Sequence, residues 1–308
     1  MHSSTLSTTC HRIFSLGSDS LSLEKLVVPF ISVKRGWWIE PIDLPSPGES
    51  NPHYLLIEQE YSSPLHHRSS LIELSTWVSV TAKGEDIAKY VDLRGPVPGI
   101  AGLQPICPSI DEREASPVLG LHHLPAFALS DQFLFYKPEK ALTDALKSLG
   151  NERDSIEHVA ARLHTALLAS YRRVSDGETV NWLLCVLSSL YWRVVGDAHR
   201  AVGCLQCALQ TAPPHTRDVA LVSLANICHQ AGLLHSALIA AGTALSASPN
   251  LVAIHFTIAN IYASMGDYQR ALEFYYSTLS LQMNFEPAKE RIRAIYCHSG
   301  KTFDFQAV

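Results

Sequence analysis

Three copies of a 34-residue unit follow one another in the second half of the chain, and this period constrains the fold more than any other feature. The copies span residues 182–215, 218–251 and 252–285, with two residues inserted between the first and the second. A unit of this length holds two antiparallel helices that cannot bury their apolar faces alone, so neighbouring pairs must stack. The sequence therefore predicts a mainly α-helical solenoid built from helix pairs.

Small residues recur at fixed positions inside these units. A glycine stands where the first helix bends into the second, at a turn that favours a residue without a Cβ. An alanine follows five residues later, where a small side chain lets the two helices approach closely, and a proline ends the second helix in the first two units. The repeat-defining residues are Gly196, Gly232, Gly266, Ala201, Ala237, Ala271, Pro213 and Pro249.

The region before Lys137 has a different composition. It holds 12 of the 17 prolines, which remove backbone donors and interrupt helices. We predict an irregular, Pro-rich and loop-dominated region over residues 1–137. Its few short strands are expected over 53–60 and 71–81, and a short helix is expected over 84–91.

Helical periodicity resumes after Pro138. Apolar residues recur at helical spacing over 140–148 and 154–172, which predicts flanking helices within residues 138–178. After the third unit, residues 286–298 combine charged side chains, among them those at 289, 290, 291 and 293, with apolar positions. They are predicted to form a C-terminal capping helix.

The face formed by the first helices of successive units is the expected partner-binding groove. Asn226 and Asn260 recur in this groove one unit apart, and a side-chain amide offers both a donor and an acceptor to an extended peptide. Hydrogen bonding and packing between neighbouring helices is the alternative role for both asparagines. By register, the groove-facing residues are Val186, Leu190, Arg193, Val222, Asn226, His229, Phe256 and Asn260.

Composition and motifs argue against several other functions. A net charge of −5 supplies no basic field for nucleic acid, and no stretch reaches the roughly 20 apolar residues of a membrane span. Cys204 and Cys207 lack a second pair with zinc spacing, so packing is predicted for both. No catalytic residue, metal or cofactor is predicted, and the chain is not expected to be an enzyme.

The cysteines and the N-terminus predict a cellular location. Seven cysteines are scattered along the chain without the spacing of a disulfide framework. Residues 1–10 are polar and lack the basic start and apolar centre of a signal peptide. Both features predict a reducing, cytoplasmic environment.

The repeats also resemble a known family. The strings LSSLYWRV at 187–194, DVALVSLANI at 218–227, HFTIANIY at 255–262 and FEPAK at 285–289 are similar to the C-terminal repeat cluster of the tetratricopeptide repeat (TPR) protein 17 family. The resemblance implies a TPR α-solenoid and a non-catalytic cytoplasmic scaffold. It also implies support of actin filament polymerisation and cilium assembly, at the actin cytoskeleton or the cilium base, through actin-regulatory or ciliary protein partners.

Two other functions stay open. Residues 1–137 are the candidate for a ligand-binding or enzymatic domain that the repeats deliver to a target. A chaperone cofactor is the second alternative. It is disfavoured because chaperone-tail binders of this fold resemble one another in having lysine or arginine in the groove, where these side chains hold a terminal carboxylate. This chain has Val186, Val222 and Phe256 at the position of the first such lysine.

Overall fold

The computed structural model describes residues 79–80, 82–97, 102–108, 121, 124, 133, 136–176 and 179–298, and none of these lies in a β-strand. The mainly helical fold is therefore confirmed for this part of the chain. Between residues 141 and 298 the α-helices are α1 (Ala141–Lys147), α2 (Ile156–Arg172), α3 (Trp182–Val195), α4 (Ala198–Thr211), α5 (Arg217–Gln230), α6 (Leu234–Ala247), α7 (Val252–Ser264), α8 (Tyr268–Leu281) and α9 (Glu286–His298).

Six of these helices form three antiparallel pairs, α3 with α4, α5 with α6, and α7 with α8. Helix α4 also packs on α5, and α6 packs on α7, so successive pairs lie side by side. The first helices of the pairs adjoin one another and form an inner layer. This is the arrangement of a helical solenoid, and it lies within one compact unit of residues 63–288.

Each pair bends at a glycine in the left-handed backbone region, with φ of 90° at Gly196, 81° at Gly232 and 80° at Gly266. At each bend the residue after the glycine donates its N–H to the carbonyl five positions earlier. This bond satisfies a carbonyl at the end of the first helix that has no donor within the helix. The three bonds are Asp197 to Trp192 at 2.9 Å, Leu233 to Cys228 at 2.8 Å and Asp267 to Tyr262 at 3.0 Å.

Gly196 and Gly232 share this backbone but differ in the space around them. A Cβ on Gly196 would lie 2.8 Å from Cγ of Pro138, whereas nothing lies within 4 Å of one on Gly232. We expect Gly232→Ala to lose roughly 1–2 kcal/mol through its left-handed backbone alone. Gly196→Ala is expected to lose about 1–3 kcal/mol more through overpacking. Urea unfolding of both variants measures the difference, and equal losses would mean that Pro138 moves aside freely.

The first helices of the three pairs are buried on every side. Residues 182–193 of α3, 218–229 of α5 and 253–263 of α7 are buried without interruption. A helix at the protein surface instead exposes residues on one face at each turn. Helix α3, for example, contacts α1, α2, α4 and α5. The inner layer therefore belongs to the core.

Part of the N-terminal prediction can be compared with the structure. Ser79 and Val80, the described end of the strand predicted over 71–81, are helical and buried, so the strand is wrong there. The preference of β-branched residues for strands mainly reflects side-chain packing and not the backbone itself. A buried helical turn can provide the same packing. Within the predicted short helix, Ile87–Lys89 forms one 3-10 turn. The strand predicted over 53–60 lies outside the described residues.

Helix α9 occupies the segment predicted as the cap, and its capping role stays a prediction. Among the helices of the described residues, none combines the length and the apolar character that crossing a membrane requires.

Candidate functional site

The eight side chains predicted to line the groove lie in the protein interior, and none exposes more than 7% of its surface. These side chains expose little surface area to a ligand while other parts of the chain cover the groove. For Asn226 and Asn260, burial favours the packing role over direct peptide contact. Contact of this set with a peptide stays a prediction, and it requires that the groups covering these residues move away. The set is Val186, Leu190, Arg193, Val222, Asn226, His229, Phe256 and Asn260.

In the first repeat, the groove residue Arg193 is paired with a carboxylate from another part of the same chain. The guanidinium donates from Nε to Oε1 of Glu139 at 2.7 Å and from Nη2 to Oε2 at 2.6 Å. Such a two-bonded pair is the strongest arrangement of these groups. A further bond runs from Nη1 to Oγ of Ser223 on α5 at 2.9 Å. Arg193 is completely buried and Glu139 nearly so.

Glu139 belongs to residues 136–140, which we call the plug segment. Its backbone N–H donates to the carbonyl of Arg193 at 3.0 Å, and the Tyr136 hydroxyl donates to its carboxylate. Burial, and next the charge of Glu139, raise the pKa of Tyr136 well above its usual value, so the hydroxyl keeps its proton. Burial opposes the charge on Arg193, but the Glu139 carboxylate outweighs it and the pKa of Arg193 is raised. The Arg193 guanidinium therefore keeps its charge in the interior.

In the second repeat the groove side chains also have partners within the chain. His229 pairs through Nε2 with Oγ of Ser264 on α7 at 2.7 Å. At the start of α5, the buried carboxylate of Asp218 lies 2.7 Å from Nζ of Lys83. Lys83 also donates to the carbonyl of His215 at 2.8 Å. A lysine from before the repeats thus contacts the start of the second repeat.

In the third repeat the groove is lined by aromatic rings that meet at tilted and edge-to-face angles. The Phe256 ring lies 5.9 Å from that of Tyr275 and 5.1 Å from that of Phe285, measured between centroids. The Tyr275 hydroxyl donates to Oδ1 of Asn260 at 2.7 Å. The amide oxygen of Asn260 is therefore used within its own helix pair.

The cysteines differ from the sequence prediction. Cys204 is buried in α4, as predicted, but it also forms a disulfide with Cys107, 97 positions earlier, which the sequence did not predict. Cys207 is a buried thiol, and its hydrogen bond to Cys185 and burial raise the pKa of the Cys185 thiol well above its usual value. Disulfides persist mainly in oxidising compartments, so this bond removes the support that the cysteines gave to a cytoplasmic location. That location stays a prediction.

Sequence reasoning missed Lys83, Cys107 and Glu139. Each lies in or next to the Pro-rich region, far along the chain from its partner, and no local pattern marks it. Among the described residues, no three side chains of His, Cys, Asp or Glu converge as metal ligands would.

Comparison with known proteins identifies relatives of this chain. It is 36% identical over 228 residues to tetratricopeptide repeat protein 17 of Homo sapiens and of Mus musculus, and 37% identical over 227 residues to that of Danio rerio. The match covers 73% of this chain but 18–19% of the relatives, so the chain spans about a fifth of their length. No protein-family model and no solved structure matches. The resemblance seen in the repeats is confirmed.

Proposed function

We propose that this relative of tetratricopeptide repeat protein 17 is a non-catalytic scaffold for protein–protein interactions. The similarity over 228 residues carries the proposal. The three stacked helix pairs support it, because repeat arrays present a continuous surface that one partner can contact at several repeats.

The family resemblance extends the proposal to a process. The chain supports actin filament polymerisation and cilium assembly, and its partners are actin-regulatory or ciliary proteins. Its place is the cytoplasm, at the actin cytoskeleton or the cilium base. Because the chain spans about a fifth of its relatives, these roles are proposed for this part of such a protein alone.

We assign the first contact with a partner to the exposed edge of the repeats beside the bends, which carries Arg200 and Arg270. Arg200 lies 4.5 Å from the centre of the Trp192 ring, and Arg270 lies 5.7 Å from that of Tyr262. Both arginine side chains are more than half exposed, at 55% and 63%. Arginine and aromatic residues supply much of the binding energy at protein interfaces. The inner groove becomes available only after the plug segment has left Arg193.

Proximity labelling with the full chain in ciliated cells tests the proposal. We expect enrichment of actin-regulatory or ciliary proteins over a control with an inactive labelling enzyme. The double variant Arg200→Glu/Arg270→Glu should lose this enrichment at an unchanged melting temperature, because both side chains are exposed. A labelled set without such proteins would contradict the actin and cilium role.

The matched variant Asn226→Ala/Asn260→Ala tests the groove. We expect a lower melting temperature, because both amides are buried. Lost labelling at an unchanged melting temperature would instead establish direct peptide contact in the groove.

A further inference from the structure

Residues 102–108, which we call the cover segment, are tied to the first repeat by one covalent bond and few hydrogen bonds. Cys107 is joined to Cys204 of α4. The indole Nε1 of Trp192 donates to the carbonyl of Pro105 at 2.8 Å, and Nδ1 of His164 pairs with the carbonyl of Gln104 at 2.7 Å. The cover segment therefore bridges α2, α3 and α4.

An aromatic surface lies against this cover. The rings of Tyr191 and Trp192 meet edge to face with centroids 5.1 Å apart, and both side chains are buried although α3 ends only three residues after Trp192. The Arg200 guanidinium stacks on the Trp192 ring and faces the side-chain carbonyl of Gln104 at 3.4 Å. Aromatic rings beside an arginine are the composition of a protein-binding hot spot.

We propose that the cover segment is a redox-controlled flap, and that reduction of the Cys107–Cys204 disulfide lifts it from Tyr191, Trp192 and Arg200 to enlarge the partner-binding edge. The binding part of this proposal rests on the proposed scaffold function. A dithiol reductant supplies the two electrons. Its thiolate attacks Sγ of Cys107, which is the more exposed sulfur, and Sγ of Cys204 leaves as a thiolate and takes up a proton. The second thiol of the reductant then displaces Cys107 and becomes part of a cyclic disulfide.

Release follows from the few bonds that remain. The conformational entropy lost by ordering the backbone of seven residues outweighs the net free energy of the few hydrogen bonds that hold the segment. The Lys83–Asp218 and Glu139–Arg193 pairs do not depend on the disulfide and stay in place when it is reduced. Lifting the cover segment therefore does not open the repeat array.

Hydrogen–deuterium exchange of the full chain tests the flap without any partner. We compare the oxidised protein, the protein with a small dithiol, and Cys107→Ser. The variant is needed because Cys297 is also disulfide-bonded and the dithiol reduces both bonds. Amides of 102–108 should exchange at least about tenfold faster in the reduced protein and in Cys107→Ser, while α3 and α4 keep their protection.

Two results overturn the flap. The cover segment exchanges no faster in Cys107→Ser than in the oxidised wild-type protein, or α3 and α4 lose protection together with it, in which case the disulfide is a structural brace. Because no partner enters this measurement, its failure is distinct from a failure of the scaffold function. If the flap opens, labelling of partners by Cys107→Ser should exceed that by the wild-type chain, and unchanged labelling would contradict the enlarged binding edge.

Discussion

Arg193→Ala is expected to destabilise the repeats by about 3–5 kcal/mol, because it leaves the buried carboxylate of Glu139 without its counter-charge. The variant also removes the bond to Ser223, which joins the first repeat to the second. Urea unfolding followed by far-UV circular dichroism measures the loss. Since small domains are stable by roughly 5–15 kcal/mol, such a loss is a large share of the total.

Two further variants show whether this loss of stability comes from the buried ion pair. Arg200→Ala removes an exposed arginine from the neighbouring helix and should change the free energy of unfolding by about 0–1 kcal/mol. Replacing both partners, as Arg193→Met/Glu139→Leu, should recover most of the stability because apolar pairs often substitute for a buried ion pair. A loss below about 1 kcal/mol for Arg193→Ala would show that water reaches Glu139 and that the groove is open.

Phe256→Ala is expected to lose about 3–5 kcal/mol, in the range of phenylalanine truncation in a protein core. The ring is nearly completely buried and packs against Tyr275 and Phe285, so its removal leaves a cavity that these neighbours fill only in part. Urea unfolding gives the free energy, and the far-UV spectrum in water shows whether the helices persist.

Met283→Ala is the matched control, because that side chain is 56% exposed just after α8. It should change the free energy of unfolding by about 0.5 kcal/mol or less. If Phe256→Ala kept full stability and lost partner labelling instead, Phe256 would be a ligand contact and the covered groove would be refuted.

Sequence periodicity was sufficient to predict the helices and their bends. Apolar spacing predicted a helix over 154–172, where α2 spans Ile156–Arg172. A glycine was expected at each bend, and Gly196, Gly232 and Gly266 all adopt positive φ. These features depend on the backbone of a few adjacent residues, and adjacent residues are what a sequence pattern describes. The quoted repeat strings likewise identified the relatives, because they are local.

Which residues pair with the groove side chains was decided by tertiary structure alone. Register placed Arg193, Asn226 and Phe256 on the inner face at three different repeat positions, but it carries no information about which distant segment packs against them. Glu139 reaches Arg193 across 54 positions, and Cys107 reaches Cys204 across 97. Such contacts depend on where residues 102–108 and 136–140 pack on the repeats, and these segments have no sequence period. A helix register fixes the direction of a side chain, whereas its partner is chosen by the packing of the whole chain.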